Sequence, residues 1–420
     1  MDDDRAPRRG RISRRALLAG APAAGIAAGI GGLALARTRG SSTPPATAGA
    51  ATVPFHGEHQ AGIATPPQAH LQLAAFDLTT ARREDVIALL RAWSLAAARM
   101  CAGDGAADPL DPAVAPADSG EALGLPPARL TLTFGFGAGL FARDGADRYG
   151  LTAARPAPLV DLPPFATDDL EPARGGGDLC VQACADDPQV AFHGVRNLAR
   201  SAGTTAMLRW SQAGFLAARA GDEPLTPRNL LGFKDGTNNI DATDPAAMRD
   251  AVWAGDESPA WMRGGSYLVA RRIRLRIEQW DRDPLADQEA RIGRRKASGA
   301  PLTGAAEHDA PDLDAVTDGA PVIPSDAHIR LAGMSANAGA RILRRSYSFA
   351  DGVDALGRLD AGLMFLCYQR DPRFGFIPVQ ERLAAHDALN HYISHTGSAV
   401  FACPPGAADG GWVGSTLFGA

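Results

Sequence analysis

An α+β fold of two ferredoxin-like halves, each running β-α-β-β-α-β around an antiparallel sheet, is what this sequence predicts. Three observations lead there. Strand-like alternation and helix-like periodicity follow one another in that order between residues 71 and 212. The same order returns between residues 267 and 403, with no visible sequence repeat. The chain has 420 residues, 45% apolar and 21% charged, enough for two or three cores of ordinary composition.

The elements come after a distinct N-terminus. Residues 5–15 are basic, Ala16 to Leu35 carry no charge, and Ala34-Leu35-Ala36 is a small-residue site. That order reads as an export signal over residues 1–36. A twin arginine, Arg14-Arg15, sits just ahead of the apolar run and points to the Tat route and a periplasmic or extracellular address. A membrane anchor is the competing reading, because the run is about 20 residues long. Its glycine and alanine content makes it weakly hydrophobic, which favours export. Residues 37–58 belong to a Ser/Thr/Pro/Ala/Gly-rich linker, and folded structure is expected from His59-Gln60.

The first half, 59–222, opens with a strand over Leu71 to Asp77. Thr79-Thr80 is positioned to cap a helix whose apolar stripe is Val86, Leu90, Trp93 and Ala97. Arg129 to Phe134 alternates leucine and threonine, as a half-buried strand does. Leu179 to Ala185 is a third strand. Asp187-Pro188 supplies an N-cap and a first-turn proline for a helix to about Ala202. Met207 to Gln212 closes the half.

The second half, 223–420, has a strand from Tyr267 to Ile277, with Arg272, Arg274 and Arg276 on one face. A helix follows around Trp280 to Ile292. Strands are expected over Ile342 to Phe349 and Leu363 to Gln369, then a helix from Pro378 to about Ile393, then a strand from Ala399 to Cys403. Gly293 to Ala340 is inserted after the first of these helices. Loops of that length without regular structure are usually functional.

Composition limits the chemistry. A net charge of -5, with no basic patch beyond the extreme N-terminus, argues against a nucleic-acid partner. Five irregularly spaced cysteines make no disulfide framework, and no C-x-x-C occurs. Gly135 to Gly139 lacks the G-x-G-x-x-G spacing, and no P-loop, H-E-x-x-H or G-x-S-x-G is present. What remains is polar sequence in the second half: Leu231-Gly232-Phe233-Lys234-Asp235-Gly236, Ser325 to Leu331 around His328, and Arg341 to Tyr347. Each has a plain alternative. Asp235-Gly236 is also a good turn, a lone histidine is more often structural, and an arginine on a strand often pairs with a carboxylate.

Together these segments resemble the dye-decolorising, or DyP-type, haem peroxidases. GFKDG matches the GxxDG signature, DAHIRLA around His328 matches the proximal-ligand segment, and RILRRSYSF matches the strand that carries the distal arginine. HQAGI from His59, DLCVQACADDPQVAFH from Asp178, GRRKASGAPL from Gly293, YQRDPRFGFIPVQ from Tyr368 and HTGSAVFACPPG from His395 resemble the Tat-exported bacterial branch. That branch is related to deferrochelatase/peroxidases of iron uptake. The resemblance covers about residues 57–410.

The resemblance implies the dimeric α/β-barrel superfamily and a non-covalent haem b in the second half. His328 would ligate the iron, with Asp387, read here on the helix of AAHDALNHY, as its hydrogen-bond partner. Asp235 would move a proton of hydrogen peroxide, and Arg344 would stabilise the negative charge on the departing oxygen. Neighbouring residues on a strand face opposite ways, so Arg345 is the alternative to Arg344. Arg294 would pair with a haem propionate, while Gly232, Phe233 and Gly236 would border the cofactor. Electrons from bulky dyes would need an aromatic route, for which Tyr347, Trp280 and Trp261 are candidates. Besides oxidation of dyes or phenols, the branch allows an iron-acquisition protein partnered by a permease system, or a haem carrier without catalysis. Dimers or larger assemblies are common in the family.

Overall fold

A computed structural model describes residues 51–107, 112–217, 219–220 and 223–419. The basic and apolar N-terminal stretches lie outside them. Four strands of the first half are β1 (His70–Leu78), β2 (Thr131–Phe136), β3 (Leu179–Ala185) and β4 (Ala206–Phe215). They pair antiparallel in the order β4-β1-β3-β2. Helices α1 (Arg83–Ala102) and α2 (Pro188–Ser201) cover one face. The expected stripe Val86, Leu90, Trp93 and Ala97 is buried there with Phe76 and Phe134.

In the second half β5 (Ser266–Leu275) is followed by the helix α3 (Leu285–Ile292) and a short helix α4 (His328–Ala332). Then come β6 (Leu343–Arg344), β7 (Tyr347–Val353), β8 (Leu359–Gln369), the helix α5 (Phe376–His386) and β9 (Ile393–Cys403). The order β7-β8-β5-β9 is antiparallel throughout. β6 and β7 hold one register on β8, since Arg344 faces Cys367 and Tyr347 faces Met364. They are therefore two pieces of a single strand, interrupted at Arg345-Ser346.

The two sheets meet at narrow seams. Ser348 of β7 pairs with Phe215 of β4, and Ala402 of β9 pairs with Phe136 of β2. The strands thereby form a barrel-like ring. Its interior is filled from both sheets, by Leu73, Cys180, Leu268, Tyr347, Tyr368 and Phe401 among others. Closure explains why β2 is not half-buried as its alternation suggested: all six residues are buried. Leu132 and Phe134 pack under the helices, while Thr133 donates to the Ala61 carbonyl at 2.6 Å on the other face. Polar alternation marked a hydrogen-bonded interior, not water.

Other expectations shift for local reasons. Arg82, not Thr79 or Thr80, is the N-cap of α1, and the Thr80 hydroxyl accepts from Arg82 N–H and donates to Asp85. β5 stops at Leu275, and the helix expected over 280–292 is split by Asp283-Pro284 into a turn at Ile277–Trp280 and α3. Proline disfavours the helical conformation in the residue before it. α5 ends at His386 rather than near Ile393. Residues 51–58 are packed rather than free: Phe55 joins the first core, and the Ala51 carbonyl accepts from Arg129 N–H at 2.9 Å. The described residues form one compact body. Among them, no helix is long and apolar enough to cross a membrane. All five cysteines are buried free thiols.

Candidate functional site

Asp235 sits in a loop that its neighbours shape closely. Gly232 has φ +87° and Gly236 φ +146°, conformations that side chains resist. Asn229 organises the turn: its side-chain oxygen accepts from Leu231 N–H at 3.1 Å and Phe233 N–H at 3.4 Å. Asp235 N–H donates to the Pro227 carbonyl at 2.7 Å. An ordinary Asp-Gly turn directs its carboxylate to its own backbone. Here Oδ1 of Asp235 instead accepts from Nη1 of Arg344, 109 residues away, at 2.8 Å. The carboxylate and the guanidinium are each about a quarter exposed and line a cavity of about 190 Å³, whose wall includes Gly236, Asn239 and Ser346.

Strand alternation decides between the two arginines. Leu343, Tyr347 and Phe349 point into the barrel, and Arg345 shares that side. Its guanidinium is buried and donates to the Thr65 carbonyl and the Gln68 side chain. Arg344 points the other way, out of the barrel and onto Asp235. Asn239 fixes its backbone. Its amide group donates to the Arg344 carbonyl at 2.8 Å and accepts from the Arg344 N–H at 2.9 Å, as an adjoining strand would.

His328 begins α4, inside the long insertion. Its Nδ1 lies 2.6 Å from Oδ2 of Asp387. Asp387 is not on the helix as expected but in the break after α5. There its other oxygen accepts from Leu389 N–H at 2.8 Å, and Asn390 occupies the last helical carbonyls. Asp387 is buried, whereas the His328 side chain keeps 36% of its surface accessible, and Nε2 makes no hydrogen bond among the described residues. Burial alone would lower the His328 pKa. The Asp387 carboxylate reverses this and holds it above the ordinary value, with Asp235 adding to the rise and Arg344 opposing it. The histidine therefore lies within electrostatic reach of the Asp235–Arg344 pair.

Arg294 is buried, and its Nη1 donates to the carbonyls of Gly299 and Glu307 at 2.7 and 2.8 Å. Burial lowers its pKa, Glu307 opposes that, and Arg344 adds to it; among the described residues neither Arg294 nor His328 lines the cavity of Asp235 and Arg344. Phe233 is not at the cavity. Its ring is buried edge-on against Trp280, 6.0 Å between centroids, and Gly232 lies where a Cβ would strike the Lys296 side chain at 2.6 Å. Tyr347, Trp280 and Trp261 are all buried. The residues missed by sequence reasoning are Asn229, Asn239 and Glu307. Only Asn239 gave a local sign, as the end of the polar GTNN run.

The donor set fits a haem. One imidazole has its inner nitrogen held by a carboxylate and its outer nitrogen free, the usual state of an iron-ligating histidine. Arg294 and Arg344 supply positive charge for propionates or a reacting anion. Among the described residues, Asp235 is the only carboxylate lining the cavity.

Comparison with known proteins agrees with this chemistry. The family described as Dyp-type peroxidase, N-terminal, matches residues 60–216, and Dyp-type peroxidase, C-terminal, matches residues 226–408. The deferrochelatase of Escherichia coli (strain K12) is 40% identical over 373 residues, 87% of this chain and 86% of that protein. Among solved structures, a DyP-type peroxidase from Streptomyces coelicolor superposes with a TM-score of 0.84 at 43% identity, covering 90% of this chain and all of that one. Ferric DtpA from Streptomyces lividans gives 0.83 at 42% identity, with 90% and 100% covered.

Proposed function

This chain belongs to the Dyp-type peroxidase family, and we propose that it is an exported peroxidase that reduces hydrogen peroxide at the expense of small organic donors such as phenols or dyes. It is a haem-dependent oxidoreductase. His328 would hold the iron through Nε2, with Asp387 fixing the ring, and Arg294 would meet a propionate. Haem supplies the electrons that peroxide takes up.

The chain's own residues manage the proton. The Asp235 carboxylate would accept the proton of one peroxide oxygen and return it to the other, so that the second leaves as water. Such a positioned group contributes about 10²–10⁴-fold. Arg344 would stabilise the charge on the departing oxygen while keeping Asp235 oriented. The observation that carries this reading is the 2.8 Å contact between Arg344 and Asp235, within electrostatic reach of His328. Haem storage needs no such pair, which weighs against a carrier.

The equal internal order of the two sheets supports reading each half as a ferredoxin-like unit. The twin-arginine sequence supports Tat export to the periplasm or cell envelope. A second reading, iron acquisition alongside a permease, is favoured by one observation: the curated relatives are named deferrochelatase.

The test is an absorption spectrum before and after one equivalent of hydrogen peroxide. A ferric Soret band that moves at once supports the peroxidase, and Asp235→Asn should slow the change. Bound haem that ignores peroxide would favour the carrier. Release of free iron from bound haem would favour the second reading.

A further inference from the structure

The long insertion is stitched to the Asp235 loop at one carboxylate that the proposed chemistry does not use. Glu307 lies within the insertion, and its side chain is 13% exposed. It takes the Lys234 ammonium directly and accepts from the Thr237 hydroxyl at 3.0 Å. Those two donors flank Asp235, one residue before it and two after. The Lys234 stem runs across Gly299, where a Cβ would meet its Cδ at 2.7 Å. On the other side, Arg294 grips the Glu307 main-chain oxygen. Burial pushes the Glu307 pKa up, but Lys234, Thr226 and Thr237 outweigh it and bring it to about 2. The group stays an anion throughout the working range of an enzyme.

We propose that Glu307 is a positioning residue: through Lys234 and Thr237 it ties the loop carrying Asp235 to the insertion carrying Arg294 and His328. The residues on the two sides of the site belong to segments far apart in sequence. Glu307 joins them where they meet, and so holds the Asp235 loop against the insertion. This rests on the peroxidase reading. A displacement of about 1 Å from reacting geometry can cost about 100-fold in rate, so a latch at this point bears on the chemistry without touching peroxide.

The charged groups around Asp235 make the idea separable from simple stability. Asp235 is faced by Arg344 and Arg228 from the cavity wall, with His328 in electrostatic reach and the Lys234–Glu307 pair behind. Glu307→Gln leaves Lys234 an unpaired cation, and Lys234→Met leaves Glu307 an unpaired anion. The acid limb of the peroxide rate should therefore move to lower pH in the first variant and to higher pH in the second.

The experiment compares wild type, both single variants and the charge exchange Lys234→Glu with Glu307→Lys. Two quantities are read: amide hydrogen exchange over residues 294–309 in haem-free protein, and the peroxide rate against pH in loaded protein. The expected result is faster exchange and a rate reduced about 10- to 100-fold in each single variant, with opposite shifts of the acid limb. The exchanged pair should recover most of both. Unchanged exchange and an unshifted limb in the single variants would overturn the proposal. So would a charge exchange that folds but recovers nothing. If wild type neither binds haem nor reacts, the peroxidase reading fails, while the exchange data still judge the latch alone.

Discussion

The carboxylate of Asp387 lies 2.6 Å from Nδ1 of His328, across 59 residues of sequence, and its other oxygen is held by Leu389 N–H. Both oxygens are therefore committed, and the imidazole has one permitted tautomer and orientation. A carboxylate in this position raises the basicity of the free ring nitrogen.

Asp387→Asn should keep the turn, because an amide oxygen still accepts from Leu389. It should lose the charge that faces His328. Outer partners of this kind typically matter by about 10–100-fold in metal affinity. Haem titration of the variant should show weaker binding of that order, with the Soret position changed. Wild-type affinity would remove Asp387 from the site.

Asp235→Asn is isosteric and keeps a hydrogen bond to Arg344, so the cavity should persist. The peroxide rate should fall by about 10²–10⁴-fold, the range for loss of a positioned acid–base group. A carboxylate base ordinarily titrates near 3.9, roughly 2.5 pH units below a histidine. A carboxylate base should accordingly keep working at acidic pH, where a histidine base would already be protonated. Stopped-flow rates that climb steadily from about pH 4 to 8 would count against Asp235 as the base.

The Asn239 side chain makes two hydrogen bonds to the backbone of Arg344, while its own N–H donates to the Gly236 carbonyl at 3.2 Å. Asn239→Ala removes both, at about 1 kcal/mol of stability each. The peroxide rate should fall in parallel with that of Arg344→Ala, by a smaller factor, while haem affinity holds. Equal rates in Asn239→Ala and wild type would show that the strand alone aims Arg344.

Which parts of this were legible follows from how far each signal travels along the chain. Val86, Leu90, Trp93 and Ala97 gave α1 because helical spacing is local. Asp187-Pro188 gave the start of α2, and the Asp187 carboxylate accepts from Gln189 and Val190 N–H as expected. Thr131 and Thr133 misled because alternation separates two faces without saying which meets water. Asp387 misled because AAHDALNHY has good helical spacing, while the break depends on Asn390 reaching back to carbonyls and on His328 drawing the aspartate aside. The roles of Glu307 and Asn239 were not legible, even with Asn239 ending a polar run, because their partners are 73 and 105 residues away. A pairing at that range leaves no pattern in a single sequence.

Activity that persists at acidic pH should meet an opposing limit in stability, and His395 supplies it. This residue is 1% exposed on β9, its Nδ1 has no partner among the described residues, and burial followed by the nearby Arg271 lowers its pKa to about 3. In the unfolded chain the value is about 6.5. Between these values the unfolded state binds a proton that the folded state does not, so stability rises with pH across the window. It is fully present above about pH 6.5 and drains as the pH falls toward 3, by up to about 1.4 kcal/mol per unit. His395→Gln does not titrate and should flatten this dependence. Thermal melts of haem-free protein between pH 4 and 7 decide the matter: the wild-type midpoint should drop more steeply than that of the variant. Parallel curves would assign the acid lability to the carboxylates held by arginine, such as Asp354, whose pKa the Arg274 contact depresses. In the expected case, β9 loosens over the same acidic range in which a carboxylate base still works, so turnover there should start at its full rate and decay with time.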